Sequence, residues 1–181
     1  KIRWKNFLST GDHWSEIDFL GHTTNLVVGT NGSGKSTMLD ALTFSLFNKP
    51  FRKINKSQLI NATNEKDCVV EVEFTVNNKD YLVRRSIKPN KFDIEVNGTL
   101  LHKESDDRLN QKILEESILK VNYKSFTQIV ILGSSSFVPF MQLSTSNRRD
   151  VIEDLLDIRI FSAMNTLIKE KIRTEKEKIR S

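Results

Sequence analysis

The spacing of hydrophobic residues along this chain changes several times, and each change marks an element. Residues 1 to 8 alternate loosely and carry Trp4 and Phe7, which predicts a strand; "SEIDF" from Ser15 alternates polar and apolar and predicts a second. "TNLVVG" (Thr24 to Gly29) has an apolar core and reads as a buried strand feeding a glycine-rich turn. After Lys35 the period becomes helical through Leu39, Leu42, Leu46 and Phe47, and Pro50 forbids continuation, so a helix is expected from about Ser36 to Phe47. An irregular polar loop, "KPFRKINKSQLINATNEKD", follows. Three strand-like runs come next: "CVVEVEFTV" (Cys68 to Val76), "DYLVRRSI" (Asp80 to Ile87) and "KFDIEVNG" (Lys91 to Gly98). Their links, Asn77-Asn78-Lys79 and Lys88-Pro89-Asn90, are too short to hold a crossover helix, so these strands must be antiparallel neighbours. Asn97-Gly98 signals a further tight hairpin turn.

Residues 104 to 120 have a helical pattern with Leu109, Ile113 and Leu114 on one face. "SFTQIVILG" (Ser125 to Gly133) reads as another buried strand, and "SSSFVPFMQLS" as a loop. From Ser144 the pattern is helical to the end, with Ser144 or Ser146 as the cap. Its apolar positions, from Val151 and Leu155 to Phe161, Met164, Ile168 and Ile172, thin out into "RTEKEKIRS". That pattern describes the first turns of a long helix that needs a partner.

The turn between the third strand and the first helix carries chemistry. Gly29, four residues, then Gly34-Lys35-Ser36 satisfies the phosphate-loop pattern. Gly32 and Gly34 let the backbone approach an oxyanion without a Cβ in the way. Successive N–H groups, including those of Asn31 and Ser33, then form an anion nest, and the helix beginning near Ser36 adds its positive end. Lys35 supplies a mobile charge for the β- and γ-phosphates, the Ser36 hydroxyl is placed to hold Mg²⁺, and Thr37 to bond an α-phosphate oxygen. The expected nucleotide-binding set is therefore Gly29, Asn31, Gly32, Ser33, Gly34, Lys35, Ser36 and Thr37, with Lys35 as the catalytic charge.

Composition changes this picture little. The chain has 181 residues, 38% hydrophobic and 28% charged, enough for one domain with a core. A net charge of +5 permits a polyanionic partner without requiring one. No apolar run approaches the roughly 20 residues a membrane span needs, and the start lacks a signal-peptide core, so no membrane association and an intracellular location are expected. The single cysteine, Cys68, reads as a small buried strand residue, and His13, His22 and His102 match no metal-ligand spacing.

A phosphate loop binds; hydrolysis also needs a metal carboxylate and a group to orient water. No run of four apolar residues followed by Asp or Glu occurs, and Asp40, on the expected helix, is placed to face elsewhere. The chain should therefore hold nucleotide but turn it over poorly alone. A self-contained small-molecule kinase would need parallel strands with crossover helices, which the antiparallel run argues against. One lobe of a split ATPase accommodates both that run and the charged terminal helix.

"WKNFLS", "NGSGKSTMLDALTFSLF", "VVEVEFTVNNKDYLVRRS" and "FTQIVILG…FMQLSTSNRRDVIEDLLDI" together resemble the ATPase subunits of double-strand-break repair nucleases, the family of bacterial SbcC and the MRN-complex ATPase. "KPFR", "QLIN", "VNGT" and "PFMQLST" extend the resemblance to its phage branch, the large subunit of the phage recombination endonuclease. The resemblance implies an α/β fold: the N-terminal lobe of an ABC-type ATPase, a mixed sheet around the phosphate-loop helix plus an antiparallel sheet, over residues 1–145. Residues 146–181 would then lead into an antiparallel coiled coil. It also implies ATP and Mg²⁺ as cofactors, and a C-terminal lobe of the same protein carrying the missing carboxylates. A second copy of the head would sandwich ATP, a metallophosphoesterase-type nuclease subunit would dock at the coiled-coil root, and double-stranded DNA would be the substrate. The location would be cytoplasmic and DNA-associated, in the host if the protein is viral. An SMC-type clamp that tethers DNA without a nuclease is the remaining alternative.

Two departures from the family pattern matter. Leu8 stands where members often have an Arg near the nucleotide, and Ser134 stands where the metal-bound glutamine is expected, so Ser134 joins Ser36 as an expected metal ligand. The basic loop with Lys49, Arg52, Lys53 and Lys56 would serve DNA, the nucleotide or solvent alone. Arg84 and Arg85 should face opposite ways on their strand, one paired across to Glu71 or Glu73.

Overall fold

A computed structural model of the chain describes residues 1–101, 106–131, 140–156 and 158–180. They form two compact units, Lys1–Leu119 and Lys120–Ser181. In the first, β1 (Ile2–Lys5), β2 (Ser15–Ile17), β3 (Cys68–Val76), β4 (Lys79–Ile87), β5 (Lys91–Val96) and β6 (Thr99–Leu100) make one sheet in the order β2-β1-β3-β4-β5-β6. Every pairing in it is antiparallel. The β3–β4 and β5–β6 hairpins turn on Asn77-Asn78 (φ 50° and 59°) and Asn97-Gly98 (φ 50° and 76°). Two successive left-handed residues suit the right-handed twist of the flanking strands.

Strand alternation sorts the residues by face. Val70, Val72, Val83 and Ile94 point inward beneath α1 (Thr37–Phe47). On the opposite face the buried Glu71 carboxylate accepts from Arg3 and, at 2.5 Å, from Arg84 Nε, the cross-strand pair expected. Arg85 turns inward as its period-2 placement requires. Its Nε donates to Ser45 O (3.0 Å), an Nη to Gln111 Oε1 (2.6 Å), and its guanidinium lies 3.6 Å from the Phe92 ring centre. Burial pulls this guanidinium down to about 10, offset in part by Asp107 and Glu115. It joins the end of α1 to β4 and to α2 (Asp107–Lys112).

Cys68 is fully buried, with its Sγ 3.8 Å from Leu59 O, and burial pushes the thiol from 9.0 up to about 12. An acid whose folded pKa is raised binds more protons in the folded state between those values. Its contribution is therefore complete at neutral pH, and stability falls as pH rises from 9 towards 12. At pH 8 Cys68 should resist a thiol-alkylating reagent in the native protein and react once urea unfolds it; rapid native labelling would refute its burial.

Among the described residues "TNLVVG" pairs with no strand, and Leu26 and Val28 are 87% and 81% exposed. The expected mixed sheet therefore reduces to a single antiparallel one, because an apolar run forms a buried strand only where neighbours pair its backbone and cover both faces. In the 104–120 region, Asp106 caps α2 by accepting from Arg108 N (3.1 Å), and the helix widens into a π-helical stretch over Ile113–Leu119. Its buried face holds Asn110, Leu114 and Ile118; Leu109, expected there, is half exposed.

The second unit contains α3 (Tyr123–Ile129), α4 (Thr145–Leu155) and α5 (Arg159–Arg180). The strand expected from Ser125 is instead α3. The Asn122 side chain accepts from Ser125 N (2.9 Å), and the Asn122 N–H donates to the Asp154 carboxylate (3.0 Å), so local capping overrides the β-branched composition. Lys124 ties α3 to α4 through Asn147 (2.8 Å) and Asp150 (3.0 Å). Ser144 is the α4 cap, accepting from Asn147 N (3.3 Å). The terminal helix is interrupted: Leu156 takes φ −89°, ψ 0°, and Ile158 N reaches back to Glu153 O (3.0 Å) before α5 begins. No helix among the described residues is long and apolar enough to cross a membrane.

Candidate functional site: a phosphate-binding turn

The glycine-rich turn closes on itself before α1. Ser33 N donates to Thr30 O (3.2 Å) and Thr37 N to Gly34 O (2.9 Å). Gly32 and Gly34 hold φ of 86° and 91°, a region that a Cβ disfavours. Lys35 Nζ donates to Gly29 O and Thr30 O, each at 2.7 Å, so the turn's own carbonyls hold the ammonium over the loop. The Ser36 side chain makes no cap bond to α1, while the Ser36 carbonyl accepts from Leu39 N (3.1 Å) and Asp40 N (3.3 Å).

A cavity of about 530 Å³ opens beside this turn, within the range of small-ligand sites. Asn31, Gly32, Gly34, Lys35, Ser36 and Thr37, six of the eight positions expected to bind nucleotide, line it. Gly29 contributes its carbonyl to Lys35 and Ser33 its turn bond, one step behind the wall. Ser134 lies outside the described residues.

The rest of the lining is one that periodicity did not show: Leu8 and Ser9 after β1, with Arg52, Gln58, Ile60 and Ala62. Leu8 takes φ 54° and donates its N–H to Leu59 O (2.6 Å), while Phe7 and Ile60 form an isolated antiparallel bridge. Asn61 fastens the two segments. Its amide donates to Leu8 O and Thr10 O (3.1 Å each), and its Oδ1 accepts from Thr63 N and Asn64 N (3.0 Å each). All of that side chain's hydrogen-bonding groups are thus engaged in holding one wall of the cavity. The signal for Leu8 was the resemblance; for Arg52 it was the charge of its loop; for Ile60 and Ala62 there was none.

The basic loop divides in its use. Lys56 folds back, donating to Asn90 Oδ1 (3.2 Å); burial, then the nearby Arg85, lower its pKa. Arg52 reaches the cavity. Asp40, fully buried one turn into α1, accepts from Arg52 N (2.9 Å), Nε (2.6 Å) and Nη2 (2.5 Å).

A lysine-bearing glycine turn that opens a helix, aimed into a cavity with a second cation, defines the P-loop class of nucleotide-binding proteins. The AAA domain family matches residues 1–181, and the chain belongs to that family, which implies nucleotide binding. The chain is 43% identical to exonuclease subunit 2 of Enterobacteria phage T4 over 172 residues, 95% of this chain and 30% of the relative. It is 26% identical to the DNA double-strand break repair Rad50 ATPase of Thermoplasma volcanium, over 95% of this chain and 19% of that protein. It is 30% identical to the SbcC subunit of nuclease SbcCD from Staphylococcus aureus, over 91% of this chain and 18% of that protein. The resemblance drawn from the motifs holds, and the chain spans less than a third of the length of these relatives.

Proposed function

We propose that this chain is the ATP-binding N-terminal lobe of an ATPase head that works with a nuclease subunit at DNA double-strand ends. The observation that carries the split is the cavity's lining: Lys35, Arg52 and the start of α1 face it, and among the described residues no carboxylate does. Such a wall binds triphosphate but lacks the groups that hold the metal and orient water. The residues fit ATP: the nest from Asn31 to Gly34 takes the β-phosphate, Lys35 the β- and γ-phosphates, and Thr37 the α-phosphate. Mg²⁺, held by Ser36 and Ser134, would supply charge to the β- and γ-phosphates.

The remaining parts would come from other polypeptide. The exposed Leu26 and Val28 suit cover by a C-terminal lobe of the same protein, and a second head would close over the nucleotide. We divide the chain into a lobe, 1–145, and a helical root, 146–181. The exposed stripe Phe161, Met164, Ile168 and Ile172 on α5 suits an antiparallel coiled-coil partner and a docked metallophosphoesterase-type nuclease. The name of the DNA double-strand break repair Rad50 relative supports DNA ends as the substrate, and those of the phage exonuclease and SbcCD nuclease subunits support a nuclease partner.

The test is ATP binding and turnover by this chain with and without the C-terminal lobe. Binding by the chain alone, with turnover only in the assembled head, is expected. Rapid turnover by the isolated chain would overturn the split. Co-purification of a nuclease separates this reading from a clamp that only tethers DNA.

A further inference from the structure

We infer that Arg52 is the α-phosphate ligand of the cavity and that Asp40 is its positioning residue; this rests on the nucleotide reading of the cavity. Asp40 is fully buried and makes no approach to the cavity itself. Its carboxylate accepts from the backbone N–H, Nε and Nη2 of Arg52, twelve residues on, so it fixes both the loop and the plane of the guanidinium. Nε and Nη2 share the one oxygen Oδ2 while Oδ1 takes the backbone N–H, and this two-nitrogen grip sets orientation in a way a lysine cannot reproduce. The Arg52 side chain remains 46% exposed, and Arg52 lines the cavity.

The helix assigns the phosphate. Asp40 lies three residues after Thr37, so the two share a face of α1. A guanidinium held on Asp40 is therefore anchored to the helix face that carries Thr37. Lys35 is instead tied back to Gly29 O and Thr30 O at the start of the turn, and the nucleotide reading gives it the β- and γ-phosphates. Leu8, which the resemblance places where relatives often carry an arginine, lines the same wall as Arg52 and brings no charge. Arg52 supplies the cation that this wall otherwise lacks, and it touches a group that ATP and ADP share.

The experiment measures ATP and ADP affinity in the full-length protein with Arg52→Ala, Arg52→Lys and Asp40→Asn, with DNA affinity alongside. Arg52→Ala should weaken ATP and ADP equally, by about tenfold, the loss of one hydrogen bond to a charged partner. Arg52→Lys should restore part of the loss. Asp40→Asn should weaken both nucleotides and add little when Arg52 is already Ala, a dependence that a merely structural role would not show. A loss confined to ATP would move Arg52 to the γ-phosphate and overturn the assignment. Unchanged nucleotide affinity with weakened DNA binding would make Arg52 a DNA contact and also overturn it. If Asp40→Asn does not fold, the half-exposed Arg52→Ala still decides the matter. Absence of nucleotide binding in the unaltered protein would instead refute the reading on which this rests.

Discussion

Lys35→Ala should lower ATP affinity by about a hundredfold or more and abolish ATP turnover in the assembled head, with little loss of folding stability. On the proposed function the ammonium is the charge that reaches the β- and γ-phosphates, and each charge-assisted hydrogen bond contributes about 1.5–3 kcal/mol. Losing two of them corresponds to roughly two or more orders of magnitude in affinity. The structural side of the substitution is small. Among the described residues Lys35 bonds Gly29 O and Thr30 O alone, at the protein surface, and a change there should alter stability by under about 1 kcal/mol. Binding and folding can therefore be read separately, by calorimetry with ATP and Mg²⁺ and by thermal melting. Lys35→Arg should fail as well, because a planar fork does not fit a turn shaped around a point charge. ATP affinity in Lys35→Ala equal to that of the unaltered protein would remove the turn from nucleotide binding altogether.

Elements that are local in sequence were legible in it. β3 matches the predicted Cys68–Val76, and the two Asn-rich turns flanking β4 and β5 fix their own hairpins through left-handed residues. The closed glycine turn was legible for the same reason: its groups are neighbours along the chain, and Lys35 bonds carbonyls five and six residues away. What failed depended on distant or competing groups. "TNLVVG" has the composition of a buried strand, but a strand exists only with a partner, and among the described residues it has none. Residues 125–131 show why apolar runs are ambiguous: Phe126 and Val130 fit a helical period as well as a strand, and Asn122, three residues before Ser125, was the cap signal that separates the two. The rest of the lining, Leu8 with Ile60 and Ala62, exists because Asn61 joins segments about fifty residues apart, which no local pattern encodes.

Phe44→Ala should cost about 3–5 kcal/mol, the largest stability loss expected here. Phe44 is fully buried on α1, its ring centre 5.9 Å from that of the equally buried Phe7, with Lys56 Nζ 5.8 Å from it on another side. Truncation removes the transfer energy of a benzyl group and leaves a hole between α1 and the wall that continues into Leu8. A domain of this size has about 5–15 kcal/mol in total, so much of its margin would go. The loss should reach the site, because Thr37, Ala41 and Phe44 are buried on one face of α1, at helical spacing from the turn. Binding to the folded state alone stabilises by about 2.7 kcal/mol at a ligand concentration a hundred times Kd, so saturating ATP should return part of what the cavity takes. Phe44→Leu, which keeps most of the volume, should lose clearly less. Urea unfolding with and without ATP measures all of this: a lower midpoint at unchanged slope is the expected signature of Phe44→Ala. A loss under about 1 kcal/mol would show that α1 is held by its polar ties, Ser45 to Val83 O and Arg85 to Ser45 O, rather than by the Phe7–Phe44 contact.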